Sequence, residues 1–173
     1  DKFEFEGGGS IEGLKVVYHT SERPWAKGDS RKVIWICHAL TANSDAEDWW
    51  PELVGPGKFF DTEKYFVVCA NMLGSAYGSS GPASVNPDTG RPYYFDFPLI
   101  TVRDIVRANI LVRQHLGIEA IDLMIGGSIG GFQSVEWGVM EPSRIRKMVL
   151  IACSGRVTPW LTAWEESQRL ALE

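Results

Sequence analysis

Short apolar runs separated by amphipathic and glycine-rich stretches predict the elements of this chain. Residues 33–37 (VIWIC), 65–70 (YFVVCA) and 147–152 (KMVLIA) are continuous apolar runs of strand length, the pattern of strands buried on both faces of a sheet. Residues 119–125 (EAIDLMI) read as a fourth such strand. Between them, residues 101–116 place Val102, Ile105, Val106, Ile110, Val112 and Leu116 close to one helical face, with Gly117 as a natural C-cap. That is an amphipathic crossover helix. Residues 132–140 (FQSVEWGVM) predict a second helix, stopped at Glu141-Pro142. Alternating buried strands and helices predict a doubly wound, mostly parallel α/β sheet with helices on both faces. Residues 3–6, 10–12 and 14–18 instead alternate apolar and polar positions around Gly7-Gly8-Gly9 and Gly13, which predicts an antiparallel pair or trio at a sheet edge. Residues 71–98, rich in Gly, Ser, Pro and Tyr, predict a long loop of the kind that serves function, and residues 158–173 open a further helix with Pro159 in its first turn.

The densest chemical signal sits where the fourth strand meets the second helix. Residues 123–131 read LMIGGSIGG, and Gly126, Ser128 and Gly130 form a GxSxG nucleophile elbow. In such an elbow the chain turns so tightly that flanking side chains collide, so Gly126, Gly127, Gly130 and Gly131 are expected to relieve crowding. The turn exposes the Ser128 hydroxyl and leaves the Ile129 amide at a helix N-terminus, able to hold an oxyanion. A phosphate cradle is the competing reading of a glycine-rich loop, but the Lys and Ser/Thr pair of a P-loop is missing. Directly after the VIWIC strand come His38-Ala39-Leu40-Thr41, where this kind of enzyme places its second oxyanion donor, and Leu40 is the candidate. His38 precedes Ser128, whereas the triad order in this fold runs Ser, Asp or Glu, then His. His38 is therefore read as a structural hydrogen-bonder and not as the general base. His19 and His115 also precede Ser128, and residues 129–173 hold no histidine, so the group that would take the serine proton is missing from these 173 residues.

Composition narrows the partners. With 173 residues, 45% hydrophobic and 12% aromatic, the chain is globular with a real core. A net charge of −5 and scattered Lys and Arg argue against nucleic-acid or anionic-membrane surfaces and for a small-molecule partner. No apolar run approaches the roughly 20 residues of a membrane span, and DKFEFEGGGS lacks a signal-peptide layout, so a cytoplasmic protein is expected. Cys37, Cys69 and Cys153 show no CxxC spacing and read as buried small hydrophobes, with neither metal site nor disulfide.

Taken in order, CHALTANSDAEDWW, NMLGSAYGSSGPAS, FDFPLITVRDIV, IGGSIGGFQSVEWGVMEPSRI and the final WLTAW with SQRLA resemble the amino-terminal half of the homoserine O-acetyltransferase family. The resemblance spans nearly the whole chain and is far more specific than the elbow alone. It implies an α/β-hydrolase fold with an antiparallel amino-terminal edge, residues 1–157 forming the first part of the core and 158–173 the start of a helical lid. It implies transfer of an acetyl group from acetyl-CoA, a co-substrate and not a bound cofactor, to the hydroxyl of L-homoserine in methionine biosynthesis. Ser128 matches the family nucleophile, and the Leu40 and Ile129 amides would stabilise the oxyanion of a ping-pong, acyl-serine mechanism. Family members keep their Asp and His beyond the lid and commonly dimerise through it. The expectation is a homodimer when complete, and inactivity for residues 1–173 alone. Other readings stay open: relatives that use succinyl-CoA or L-serine, a serine esterase sharing the elbow, and a non-catalytic interaction domain.

Overall fold

In the computed structural model, which describes residues 2–26 and 28–172, a five-stranded sheet runs in the order β3-β7-β4-β8-β9. In chain order the elements are β1 (Lys2–Glu4), β2 (Ser10–Glu12), β3 (Tyr18–Thr20), β4 (Lys32–Cys37), α1 (Ala46–Trp49), β5 (Val54–Gly55), β6 (Phe60–Asp61), β7 (Tyr65–Ala70), α2 (Val102–His115), β8 (Leu123–Gly127), α3 (Ile129–Met140), β9 (Met148–Ile151) and α4 (Pro159–Leu170). Strands β7, β4, β8 and β9 are parallel, and β3 adds an antiparallel edge on β7. Trp35 sits opposite Val68 on one side and Met124 on the other, so the strand that carries the elbow lies beside the central strand of the sheet.

The period-2 alternation of side chains divides the core between the two faces. Val33, Trp35, Cys37, Phe66, Val68 and Met124 pack under α2 and α3, where Trp35 meets Trp137 edge-to-face at 5.0 Å. Ile34, Ile36, Val67, Cys69 and Ile125 pack against Ala46, Val54 and Phe60 on the other face. Helices do cover both faces, but unequally: the second carries only the short α1 and the β5–β6 pair, neither of which shows a helical or strand period in the sequence.

Helix α2 forms because its N-terminus is closed by a capping box. The Thr101 hydroxyl accepts from the Asp104 amide, and the Asp104 carboxylate accepts in turn from the Thr101 amide. Asp104 is fully buried and also accepts from the Glu6 amide at 3.0 Å and from Arg107 at 3.3 Å. One carboxylate thus caps the helix and anchors the amino-terminal segment to it. Asp104→Ala is expected to cost about 2–4 kcal/mol, because a lost cap and an orphaned buried donor add together. Urea unfolding of the two proteins would measure it, and a loss under about 1 kcal/mol would contradict the assignment.

Several expectations need correction. The amino-terminal alternation forms two separate pieces: β1 and β2 make their own antiparallel ribbon, and only β3 joins the main sheet. Residues 14–17 are not a strand, since the amides of Lys15 and Val17 donate to the hydroxyls of Ser80 and Ser79 in place of a neighbouring strand. Strand β8 begins at Leu123, after the Asp122 carboxylate has accepted from Val33 N–H and Arg146. Helix α3 begins at Ile129, since the glycines of the elbow hid its first turn. Strand β9 is not buried on both faces: Met148, Val149, Leu150 and Ile151 are each 41–45% exposed. Helix α4 follows its Thr158 cap with Trp160 and Trp164 exposed.

Candidate active site

Strand β8 delivers the chain to Ser128, which adopts φ 54° and ψ −124°, a conformation that costs a non-glycine residue about 1–3 kcal/mol. The conformation is over-determined by its surroundings. The Ser128 amide donates to the Ile151 carbonyl of β9 at 2.9 Å, and the Ser128 carbonyl accepts from the amides of Gly131 at 2.9 Å and Phe132 at 3.2 Å. The side chain of Ser128 is left exposed.

Three of the four elbow glycines are there for space. A Cβ on Gly126 would run into the Gly130 carbonyl and approach Ser134 Oγ at 2.5 Å, and one on Gly130 would run into the Cys37 carbonyl, 2.8 Å from the His38 oxygen. A Cβ on Gly131 would strike the Cys153 side chain. Gly127 does not fit this pattern, because a Cβ there meets nothing within 4 Å. Its side-chain direction points away from the turn's close approach, so the expectation for Gly127 fails.

The contact of Gly130 with Cys37 and His38 brings the end of β4 against the elbow, and with it the segment holding Leu40. Among the described residues, neither the Leu40 nor the Ile129 amide has an acceptor, so both remain able to donate. The two predicted donors therefore sit on segments in direct contact. The loop that follows β4 is tied to the 71–81 loop in three places. Met72 N–H donates to His38 Nε2 at 3.3 Å, Ser44 N–H to Asn71 Oδ1 at 2.7 Å, and the Tyr77 hydroxyl to the Thr41 carbonyl at 3.2 Å. Asn71 is buried and also donates to the Tyr77 carbonyl while accepting from Ser79 on its own carbonyl. The sequence reading missed Asn71 and Tyr77; the only local signal was the glycine- and serine-rich segment around them.

A family model described as the alpha/beta hydrolase fold matches residues 32–172. The chain belongs to the α/β-hydrolase fold family. It is 45% identical over 170 residues to the homoserine O-acetyltransferase of Trichormus variabilis, covering 98% of this chain and 47% of that protein. Among solved structures it resembles esterase E22 (TM-score 0.84, 31% identity, 96% of this chain and 49% of that one). The homoserine O-acetyltransferase of Staphylococcus aureus is similar at TM-score 0.80 and 30% identity, over 99% of this chain and 50% of that one. This α/β-hydrolase chain spans about half the length of the curated relatives it matches.

Within the α/β-hydrolase frame the histidines take structural places. His38 is buried with both ring nitrogens engaged, and burial holds it below the ordinary value, towards the neutral form. His19 pairs with Ser44 at 2.7 Å, and His115 is exposed on α2. Burial pushes the Cys37 thiol up to about 12 and the Cys69 thiol well above its ordinary value, so neither is a thiolate nucleophile. Cys153, expected to be buried, is half-buried beside Gly131. Among the described residues no group of three His, Cys, Asp or Glu could hold a metal, and no helix is long and apolar enough to cross a membrane.

Proposed function

We propose that residues 1–173 are the nucleophile-bearing part of a homoserine O-acetyltransferase, and that Ser128 is its acyl acceptor. The observation that carries this is 45% identity along 98% of the chain to a protein of that name, on a chain whose one strained serine sits at a nucleophile elbow. In the proposed reaction the Ser128 hydroxyl attacks the thioester carbon of acetyl-CoA and gives its proton to a histidine supplied by chain beyond residue 173. The C–S bond breaks, CoA leaves as its thiol, and an acetyl ester remains on Ser128. The Leu40 and Ile129 amides would receive the charge on the tetrahedral oxygen, a contribution on the order of 10²–10³ in rate for each donor. The L-homoserine hydroxyl then takes the acetyl group and restores Ser128.

Transfer in preference to hydrolysis requires a site that excludes water. We assign that task to a helical lid beginning at residue 158, where the apolar side chains of Trp160 and Trp164 are exposed. The same reading places the enzyme in the cytoplasm as a homodimer with acetyl-CoA as co-substrate and no bound cofactor. The likeness to esterase E22 favours a second reading, in which water takes the acetyl group.

Intact-protein mass spectrometry on the product of the complete reading frame separates the two. Incubation with acetyl-CoA is expected to add one acetyl group at Ser128, and L-homoserine to remove it as O-acetylhomoserine. Release as free acetate at the same rate with and without homoserine would establish the esterase instead.

A further inference from the structure

We infer that His38 is a positioning residue for the oxyanion hole, a reading that rests on the acyl-serine function above. The Met72 amide donates to His38 Nε2 at 3.3 Å, so that nitrogen carries the lone pair. Nδ1 therefore carries the proton and donates it to the Ala39 carbonyl at 2.8 Å. The Ala39 carbonyl and the Leu40 N–H belong to one peptide unit, planar and trans, in which the two groups point in opposite directions. A second bond, from the Ala42 amide at 3.1 Å, reaches the same Ala39 oxygen. With its oxygen held twice on one side, the peptide presents the Leu40 N–H on the other. It also makes that N–H a better donor, since a carbonyl already accepting polarises its own amide.

The ring is 1% exposed and is held from behind by the backbone of the 71–81 loop. Its orientation is thereby independent of substrate. His38 thus sets the direction of a donor it does not itself supply. An oxyanion donor is effective only when its direction is fixed before charge develops, because reorientation during reaction would consume the stabilisation it offers.

Two substitutions separate this role from simple packing. In His38→Asn the side-chain amide can occupy the Nδ1 position and donate to Ala39, but it cannot reach Met72. In His38→Gln the amide oxygen can reach the Met72 amide, but the side-chain donor to Ala39 is lost and only the Ala42 amide still holds that oxygen. Both are tested in the complete enzyme by the second-order rate of Ser128 labelling with a fluorophosphonate, whose adduct places an oxygen in the same hole, alongside the acetyl-CoA acylation rate and the urea midpoint.

His38→Gln is expected to label 10- to 100-fold more slowly while keeping most of its stability. His38→Asn is expected to return to within about threefold of the parent rate despite a lower midpoint. Rates that follow stability, with Asn slower than Gln, or two variants at the parent rate, would overturn the assignment. If fluorophosphonate labels Ser128 but acetyl-CoA does not acylate it, the transferase reading fails, and the order of the two variants still decides the role of His38. If the parent enzyme is not labelled at Ser128, both readings fall.

Discussion

Ser128→Ala in the complete enzyme is expected to abolish covalent acylation and to lower turnover by a factor on the order of 10⁴–10⁶, the range seen when a nucleophile acting in a unit is removed. Stability should scarcely move, within about 0.5 kcal/mol, because the side chain is exposed and an alanine inherits the same backbone strain. Ser128→Gly sharpens the test. Relief of a conformation at φ 54° recovers about 1–3 kcal/mol, against about 0.5–1 kcal/mol for the extra freedom of an unfolded glycine, so the inactive variant should be the more stable protein. Mass spectrometry after acetyl-CoA treatment reads the first effect and urea unfolding the second. An acylated Ser128→Ala enzyme would remove Ser128 from the mechanism.

Gly130→Val is expected to destabilise the protein by more than about 4 kcal/mol, or to prevent folding, since the new Cβ would enter the space of the Cys37 carbonyl. That carbonyl ends β4, which is paired on both sides, so no flexible group is available to move aside. Gly131→Ala should cost less, about 1–3 kcal/mol, because its obstacles, Sγ and Cβ of the half-buried Cys153, lie just past the edge strand β9, where the backbone has more room to shift than in a strand paired on both sides. Gly127→Ala is the control. With open space around it, stability should change by less than about 0.5 kcal/mol. Denaturation midpoints of the three variants must fall in that order, and an equal loss at Gly127 and Gly130 would refute the geometry.

Elements whose signals are local were legible in the sequence. Strand β7 matches its apolar run residue for residue, and α2 lies between the Thr101 cap and Gly117, whose φ of 69° is the left-handed C-terminal position that glycine favours. The elbow was legible because its steric demand is written as glycine spacing. What stayed hidden depends on partners distant along the chain. Lys15 and Val17 alternate as a strand would, yet their amides are claimed by two serines more than sixty residues away. The exposure of β9 follows from its place as the last strand of the described sheet, which composition does not encode. At the candidate site the sequence supplied Ser128, Leu40 and Ile129, and the order of residues excluded His38 as a base. Only the contacts with Met72 and Ala39 turned a structural histidine into one with a direction to set.

The seating of Gly130 on the carbonyls of Cys37 and His38 has a bearing on how such proteins can be recombined. The serine turn and the loop after β4 form a single mould, cast from two stretches of chain far apart in sequence. A graft that imports residues 126–131 from a relative without residues 37–41, or the reverse, would set a foreign turn against a foreign floor. Shuffled libraries should therefore inherit the two stretches from the same parent, and crossovers that part them should be depleted among the folded survivors.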